Sequence, residues 1–338
     1  MISLSVKYRP TKFNDVSSQT SIIRILSRQI DTNTFKNSYL FCGSSGCGKT
    51  TIARILANEI NKHQGNPIEI DAASNNGVDN VKQIIKSASE RSLDSEYKIY
   101  IIDECHALTS QAWQAFLKCI EEPPKYTVFI FCTTEKNKVP DTIKNRCQVF
   151  NFNRIPSELI RLRLEYICKQ EGFLNYEDAC DYISRICKNQ MRDGISLLEQ
   201  CAAYDINLNI ENVLKVLGSY SYTVYFKLIN SLIDGNLDSI VNIINTIYND
   251  GIDLKLFVDQ FLSFILDISK YIICNNLTVT KFPSNQLEEI KKATNFENPL
   301  QYYQYIMNKL IILKNDIKND TDIKSTVDVY FIQMGSYQ

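Results

Sequence analysis

"SYLFCGSSGCGKT", residues 38–50, decides the fold of this 338-residue chain. Its first five residues form an apolar and aromatic run that reads as a strand covered on both faces of a parallel sheet. The next eight, Gly43 to Thr50, match G-x-x-x-x-G-K-[ST] between that strand and the start of a helix. Gly43, Gly46 and Gly48 let the backbone curl until its N–H groups face phosphate oxygens; Lys49 can reach the β- and γ-phosphates, and Thr50 can ligate Mg2+. A glycine-rich turn without a ligand is the alternative. The strand-loop-helix setting favours a nucleoside triphosphate.

The runs PIEID (67–71), IYIID (99–103), VFIFC (128–132) and QVFNF (148–152) read as further strands, apolar on both faces. Between them Val78, Val81, Ile84, Ile85 and Ala88 share one helical face, as do Ala112, Phe116, Cys119 and Ile120 after the cap candidates Thr109 and Ser110. This alternation predicts an α/β fold. At the end of IYIIDECH, Asp103 is suited to the Mg2+ shell and Glu104 to polarising an attacking water; two acids that merely cap a strand are the alternative. Beyond Pro156 the strand signal stops and helical periodicity takes over, giving expected segments of 1–155 (α/β), 156–212 (helical) and 213–338 (helical).

Charge and cysteine content narrow the function class. With 37 basic and 38 acidic side chains the net charge is -1, which excludes coating of nucleic acid by bulk charge. The eleven cysteines include no C-x-x-C pair and lie mostly in apolar runs, as reduced core thiols of a cytoplasmic protein do. The amino terminus lacks the apolar stretch of a signal peptide. Asp259, Asp267 and Lys270 interrupt the most hydrophobic run, residues 256–274, so a buried helix is expected there and no membrane partner.

The segments VKYRPTKFNDV, GSSGCGKTT, IEIDAASNNGVDNVK, YIIDECHALTSQAWQAFLKCIEEPP, FCTTEKNKVPDTIKNRCQVF and QMRDGISLLEQ occur in the order seen in the γ/τ family of bacterial DNA polymerase III, the AAA+ ATPases of the sliding-clamp loader. The resemblance continues more weakly through VLGSY and LQYYQYI. It implies an AAA+ P-loop parallel-sheet domain, a helical lid, and an all-helical collar that assembles subunits. It also implies ATP with Mg2+ bound to the loop residues Gly43, Ser44, Ser45, Gly46, Cys47, Gly48, Lys49, Thr50 and Thr51 and to Asp103, with Tyr8, Arg9 and Pro10 near the adenine. Thr134, beside Thr133, takes the place of sensor 1, and Arg192 that of sensor 2, a lid cation for the γ-phosphate. Arg146 takes the place of the arginine finger, serving the ATP of an adjacent subunit. Alone, Tyr8 reads better as packing, Thr134 as a strand end, and Arg192 as half of a surface pair with Asp193, whereas the ordered set of motifs favours the functional roles.

Four departures stand out. The family's cysteine-rich zinc insert is replaced by NEINKHQGNP, so no zinc is predicted, and the long τ extension that joins polymerase and helicase has no counterpart in this sequence, so that coupling role is not assigned. Asn145 stands where the family has serine before the finger, and Gly194 where alanine is usual. For DNA the family's lining segment reads NNGVDNVK here, leaving Asn75, Asn76 and Lys82 as weak phosphate contacts. The resulting expectation is an ATP-hydrolysing motor of a clamp loader. Its partners would be copies of itself, δ-like and δ′-like subunits, the ring clamp and primer-template DNA. Another AAA+ DNA motor, or a nucleotide-binding scaffold without turnover, are the alternatives.

Overall fold

A computed structural model describes residues 2–218, 222–280, 282 and 286–337, divided into two compact units, residues 1–208 and 209–338. The expected boundary at 155/156 falls inside the first unit, and the VLGSY stretch lies partly outside the described residues.

In the first unit five strands, β1 (Ser38–Cys42), β2 (Ile68–Asp71), β3 (Lys98–Asp103), β4 (Thr127–Thr133) and β5 (Gln148–Asn151), form one parallel sheet in the order β2-β3-β4-β1-β5. Helices α1 (Leu4–Lys7), α2 (Thr20–Asp31), α3 (Lys49–Ile60), α4 (Val78–Ala88), α5 (Ser110–Glu121) and α6 (Asp141–Lys144) surround it. Because successive side chains of a strand point to opposite faces, one set of strands builds two cores. Tyr39, Phe41, Ile101, Val128, Ile130 and Cys132 pack with Ile52, Ile55 and Leu56 of α3 and Leu26 of α2. Leu40, Tyr100, Ile102, Phe129 and Phe131 pack with Val81 of α4 and with Trp113, Phe116 and Ile120 of α5. Thr109 caps α5, its Oγ1 accepting the Ala112 N–H at 3.2 Å.

β2 departs from the expected covering of both faces. Ile68, Glu69 and Asp71 are exposed and Ile70 half-buried, because β2 is the sheet's edge with β3 as its only strand neighbour. The central strands β1 and β4 are buried along their whole length. Their carboxyl ends coincide, Cys42 opposite Thr133 on one side and Asn151 on the other, so the loops leaving them share one edge.

Three helices complete the unit, α7 (Ser157–Glu171), α8 (Glu177–Ile186) and α9 (Met191–Tyr204), packed through Ile160, Leu164, Ile167, Cys180, Ile183, Ile195 and Leu198. Gly194 of α9 faces Ile160; a Cβ there would stand 3.2 Å from Ile160 Cγ2, a close fit that glycine relieves. Helix α1 is tied to α9 by the Glu199 carboxylate, which accepts from Ser3 Oγ at 2.8 Å and from the Leu4 N–H at 3.1 Å.

The second unit contains α10 (Ile210–Val216), α11 (Tyr222–Ile233), α12 (Leu237–Asn249), α13 (Leu254–Cys274), α14 (Leu287–Thr294), α15 (Pro299–Asp316) and α16 (Ile323–Gly335). Asn209, Asn236, Asp253 and Asp322 cap four of them with side-chain oxygens. The interrupted apolar run is α13, as expected: Phe257, Phe261, Phe264, Ile265 and Ile268 lie in the core, Asp267 is buried against Lys270 at 2.8 Å, and Asp259 pairs with Lys314 at 2.8 Å. Among the described residues no helix is long and apolar enough to cross a membrane.

Candidate functional site

The loop from β1 to α3 leaves the sheet with its backbone held on both sides of β1. The Gly43 N–H donates to Thr133 O at 3.1 Å, and the Phe152 N–H donates to Cys42 O at 2.6 Å. A Cβ on Gly43 would lie 2.7 Å from Phe152 O, so no larger residue fits there. Gly46 has φ 67 and touches Gln190, and its carbonyl accepts the Met191 N–H at 3.3 Å, which joins the loop to α9. Gln19, itself at φ 65, donates its side-chain N–H to Cys47 O at 3.3 Å and to Asn153 O at 2.7 Å. The Cys47 thiol sits in the core with its pKa pushed up by burial, so it packs as a neutral group.

Lys49 opens α3 and is buried, 6 % exposed, yet forms no ion pair among the described residues. Its ammonium donates instead to Gly43 O at 2.9 Å and Ser44 O at 3.0 Å. A buried cation satisfied only by its own loop, at a helix start whose first N–H groups lack intrahelical partners, is matched to an anion. Thr50 Oγ1 donates to Asp103 Oδ2 at 2.8 Å, bringing together the hydroxyl and carboxylate expected of a Mg2+ shell. This donor set fits Mg-ATP: loop N–H groups and Lys49 for phosphate, Thr50 and Asp103 for the hard cation.

Glu104 follows Asp103 with φ 47, a left-handed backbone that costs a non-glycine residue roughly 1–3 kcal/mol. Its N–H donates to Asp103 Oδ1 at 3.0 Å, and its Oε2 accepts from Thr134 Oγ1 at 3.0 Å. Thr134 thus meets the site through Glu104. Thr133 is fully buried at the end of β4, and its Oγ1 accepts the Glu135 N–H at 2.9 Å.

Lys49, Thr50, Asp103 and Glu104 line one cleft of about 380 Å3, with Ser45, Gly46, Cys47, Gly48, Thr51 and Arg192 on the loop and α9 side. Tyr8, Arg9 and Pro10 close another side. Tyr8 is fixed there by its hydroxyl, which donates to Glu171 at 2.5 Å, by Arg163, which donates to the Tyr8 carbonyl at 2.7 Å, and by an edge contact with Tyr166. Lys7 and then Tyr8 hold the Glu171 carboxyl below its usual pKa, while burial and Glu171 push the Tyr8 phenol up. Gly43 and Ser44 carry Lys49 from behind the lining. Arg192 forms no ion pair among the described residues, with Asp193 or any other acid.

The remaining expected residues lie elsewhere. Arg146 is outside the lining; it pairs with Glu121 at 2.5 Å and donates to Thr142 O at 2.8 Å, its side chain 37 % exposed. Cys147 beside it is mostly buried, its thiol pushed up to about 12 by burial. Asn75 folds back on Asp71 O at 3.0 Å, the Asn76 carbonyl accepts the Thr109 N–H at 3.2 Å, and Lys82 lies exposed 3.6 Å from Asp79.

Two cations of the cleft wall escaped the sequence reading, Arg54 and Arg163. Each had a signal. Arg161 has acids at helical spacing and pairs with Glu158 and Glu165, whereas Arg163 is flanked at three and four residues by Leu159, Ile160, Tyr166 and Ile167. Arg54 likewise lacks a local acid and reaches across to Glu69 at 2.5 Å.

The comparisons with known proteins agree along the chain. Residues 68–156 match the family described as DNA polymerase III, delta subunit, and residues 208–336 match DNA polymerase III subunits gamma and tau domain III. DNA polymerase III subunit gamma/tau of Mycoplasma genitalium is 32% identical over 324 residues, 89% of this chain and 53% of that protein. The chain is similar to DNA polymerase III gamma/tau subunits along most of its length. Subunit tau of Bacillus subtilis is 34% identical over 78% of this chain and 51% of its own length, and subunit gamma of Buchnera aphidicola 29% identical over 91% of each. The chain thus spans about half the length of the Mycoplasma and Bacillus family members. Among solved structures, the Thermotoga maritima RuvB Holliday junction branch migration motor superposes with TM-score 0.54 at 17% identity, covering 67% of this chain and 79% of that one. The fold is that of AAA+ proteins: a five-stranded parallel sheet with surrounding helices, followed by a helical region.

Proposed function

We propose that this chain is an ATP-hydrolysing motor subunit of a sliding-clamp loader, acting in the cytoplasm during DNA replication. The observation that carries the reading is the convergence in one cleft of the buried Lys49, the Thr50–Asp103 pair and Glu104, in a chain similar to gamma/tau subunits. Loop N–H groups and Lys49 hold the triphosphate, Tyr8, Arg9 and Pro10 border the adenine, and Glu104 polarises the water that attacks the γ-phosphate. Thr134 steadies Glu104, and Arg192, unpaired on α9, turns toward the γ-phosphate when residues 156–212 close as a lid. Mg2+, held by Thr50 and Asp103, neutralises charge on the phosphate oxygens.

Arg146 serves a neighbouring subunit. Its position outside the cleft of its own chain supports that role, as does a partnership with Glu121 that is half-exposed and therefore weak. Residues 213–338 form the collar that joins copies of the chain to δ-like and δ′-like subunits. Primer-template phosphates then meet Asn75, Asn76 and Lys82, a few contacts per subunit summed over the ring. Reconstituted with those subunits, the ATPase rate rises on adding primed DNA and a ring clamp together; a rate indifferent to both would refute clamp loading.

A further inference from the structure

His106 follows Glu104 by two residues, in the turn Cys105–Ala107, and takes no part in the reading above. Its ring is 18 % exposed and wedged between the ends of β3 and β4. Nδ1 lies 3.3 Å from Glu104 Oε2 and 3.2 Å from Thr133 Oγ1. Nε2 lies 3.3 Å from Glu135 Oε1, and Glu135 is in turn held by Lys138 at 2.8 Å. One imidazole therefore joins the carboxylate of the cleft to a carboxylate at the surface.

The consequence for Glu104 is asymmetric. Oε2 accepts from Thr134 Oγ1 and lies within ion-pair distance of His106 Nδ1, while Oε1 has no protein partner among the described residues although Glu104 lines the cleft. A carboxylate on a strained left-handed residue would sample several rotamers if its only anchor were one hydroxyl. With a second anchor on the same oxygen, the other oxygen is left as the acceptor for water. We infer that His106, as the imidazolium whose two N–H groups can each donate to a carboxylate, is a positioning residue for ATP hydrolysis: through Nδ1 it fixes the Glu104 carboxylate so that Oε1 faces the attacking water, and through Nε2 it is itself braced by Glu135. This rests on the reading of Glu104 as the water-polarising group.

The two nitrogens can be tested apart. An asparagine places its amide nitrogen one atom beyond Cγ, where Nδ1 stands; a glutamine places it one atom farther, where Nε2 stands. His106→Asn keeps the Glu104 contact and His106→Gln keeps only the Glu135 contact. Measured on the full chain assembled with its partner subunits, turnover of His106→Gln and His106→Ala falls about 10-fold to 100-fold, the scale of a misplaced catalytic group. His106→Asn stays near wild type, and nucleotide affinity is the same in all four proteins. Glu135→Gln, which keeps an acceptor for Nε2, leaves turnover close to wild type. Equal losses in the Asn and Gln variants, or no loss in any variant, would overturn the positioning role. A wild-type chain whose turnover survives Glu104→Gln would overturn the Glu104 reading first, and the role of His106 with it.

Discussion

Residues 1–208 and residues 209–338 bury comparable apolar cores but end differently. In the first unit the strands stop at one edge, and three of them deliver polar groups to it: Lys49 and Thr50 beyond β1, Asp103 and Glu104 at the end of β3, and Thr134 beyond β4 through its bond to Glu104. In the second unit helix packs on helix, and its buried charge is consumed locally, Asp267 by Lys270 three residues on. Polar groups held by a shared sheet edge remain available to a ligand; those held within a helix turn do not. Substitutions in the two units should accordingly separate chemistry from stability.

The largest separation comes from Glu104→Gln, which keeps size and hydrogen bonds yet removes the charge that polarises water. Turnover falls about 10²-fold to 10⁴-fold while the melting temperature stays put; a large shift in melting temperature would show that Glu104 is structural. The converse is Phe261→Ala in α13, a fully buried ring that meets Tyr225, Phe257, Phe264 and Phe331. It costs about 3–5 kcal/mol of stability by denaturant titration, with nucleotide affinity of the surviving folded protein unchanged.

A smaller effect distinguishes the units by pH. Burial raises the thiols of Cys47, Cys105, Cys132 and Cys147 above their ordinary 9.0, the last to about 12. A folded pKa raised in this way contributes stability that is complete below pH 9 and is lost as pH climbs toward 12, at up to about 1.4 kcal/mol per thiol per pH unit. In the second unit the raised groups include the phenols of Tyr302, Tyr303, Tyr305 and Tyr330, whose ordinary value is 10.0. Between pH 9 and pH 10 hydrogen exchange should therefore loosen the first unit and spare the second. Equal loosening of both would contradict this account of the thiols.

Much of the first unit was legible because its signals are local. Apolar strand runs, the glycine spacing of the P-loop and the acids closing IYIIDE need only a few neighbouring residues to be read, and the strand bounds agree to within one residue with those expected. β2 misled because PIEID carries an apolar pattern at a sheet edge where only Ile70 packs against the core among the described residues of the strand, and edge position is a property of strand order. Arg54, Arg163 and His106 were overlooked since their partners, Glu69, the Tyr8 carbonyl and Glu135, are brought near only by folding. Arg146 is the extreme case: within one chain it meets Glu121 and Thr142, and neither explains a finger.

The central claim is that the working unit is an interface between subunits, and Arg146→Ala tests it most directly. In the reconstituted assembly with primed DNA and clamp, stimulated turnover should fall about 10³-fold or more, the scale of an arginine finger. ATP binding by the substituted chain itself should remain at wild-type affinity. Loss of binding by that chain, with normal turnover per bound ATP, would contradict it.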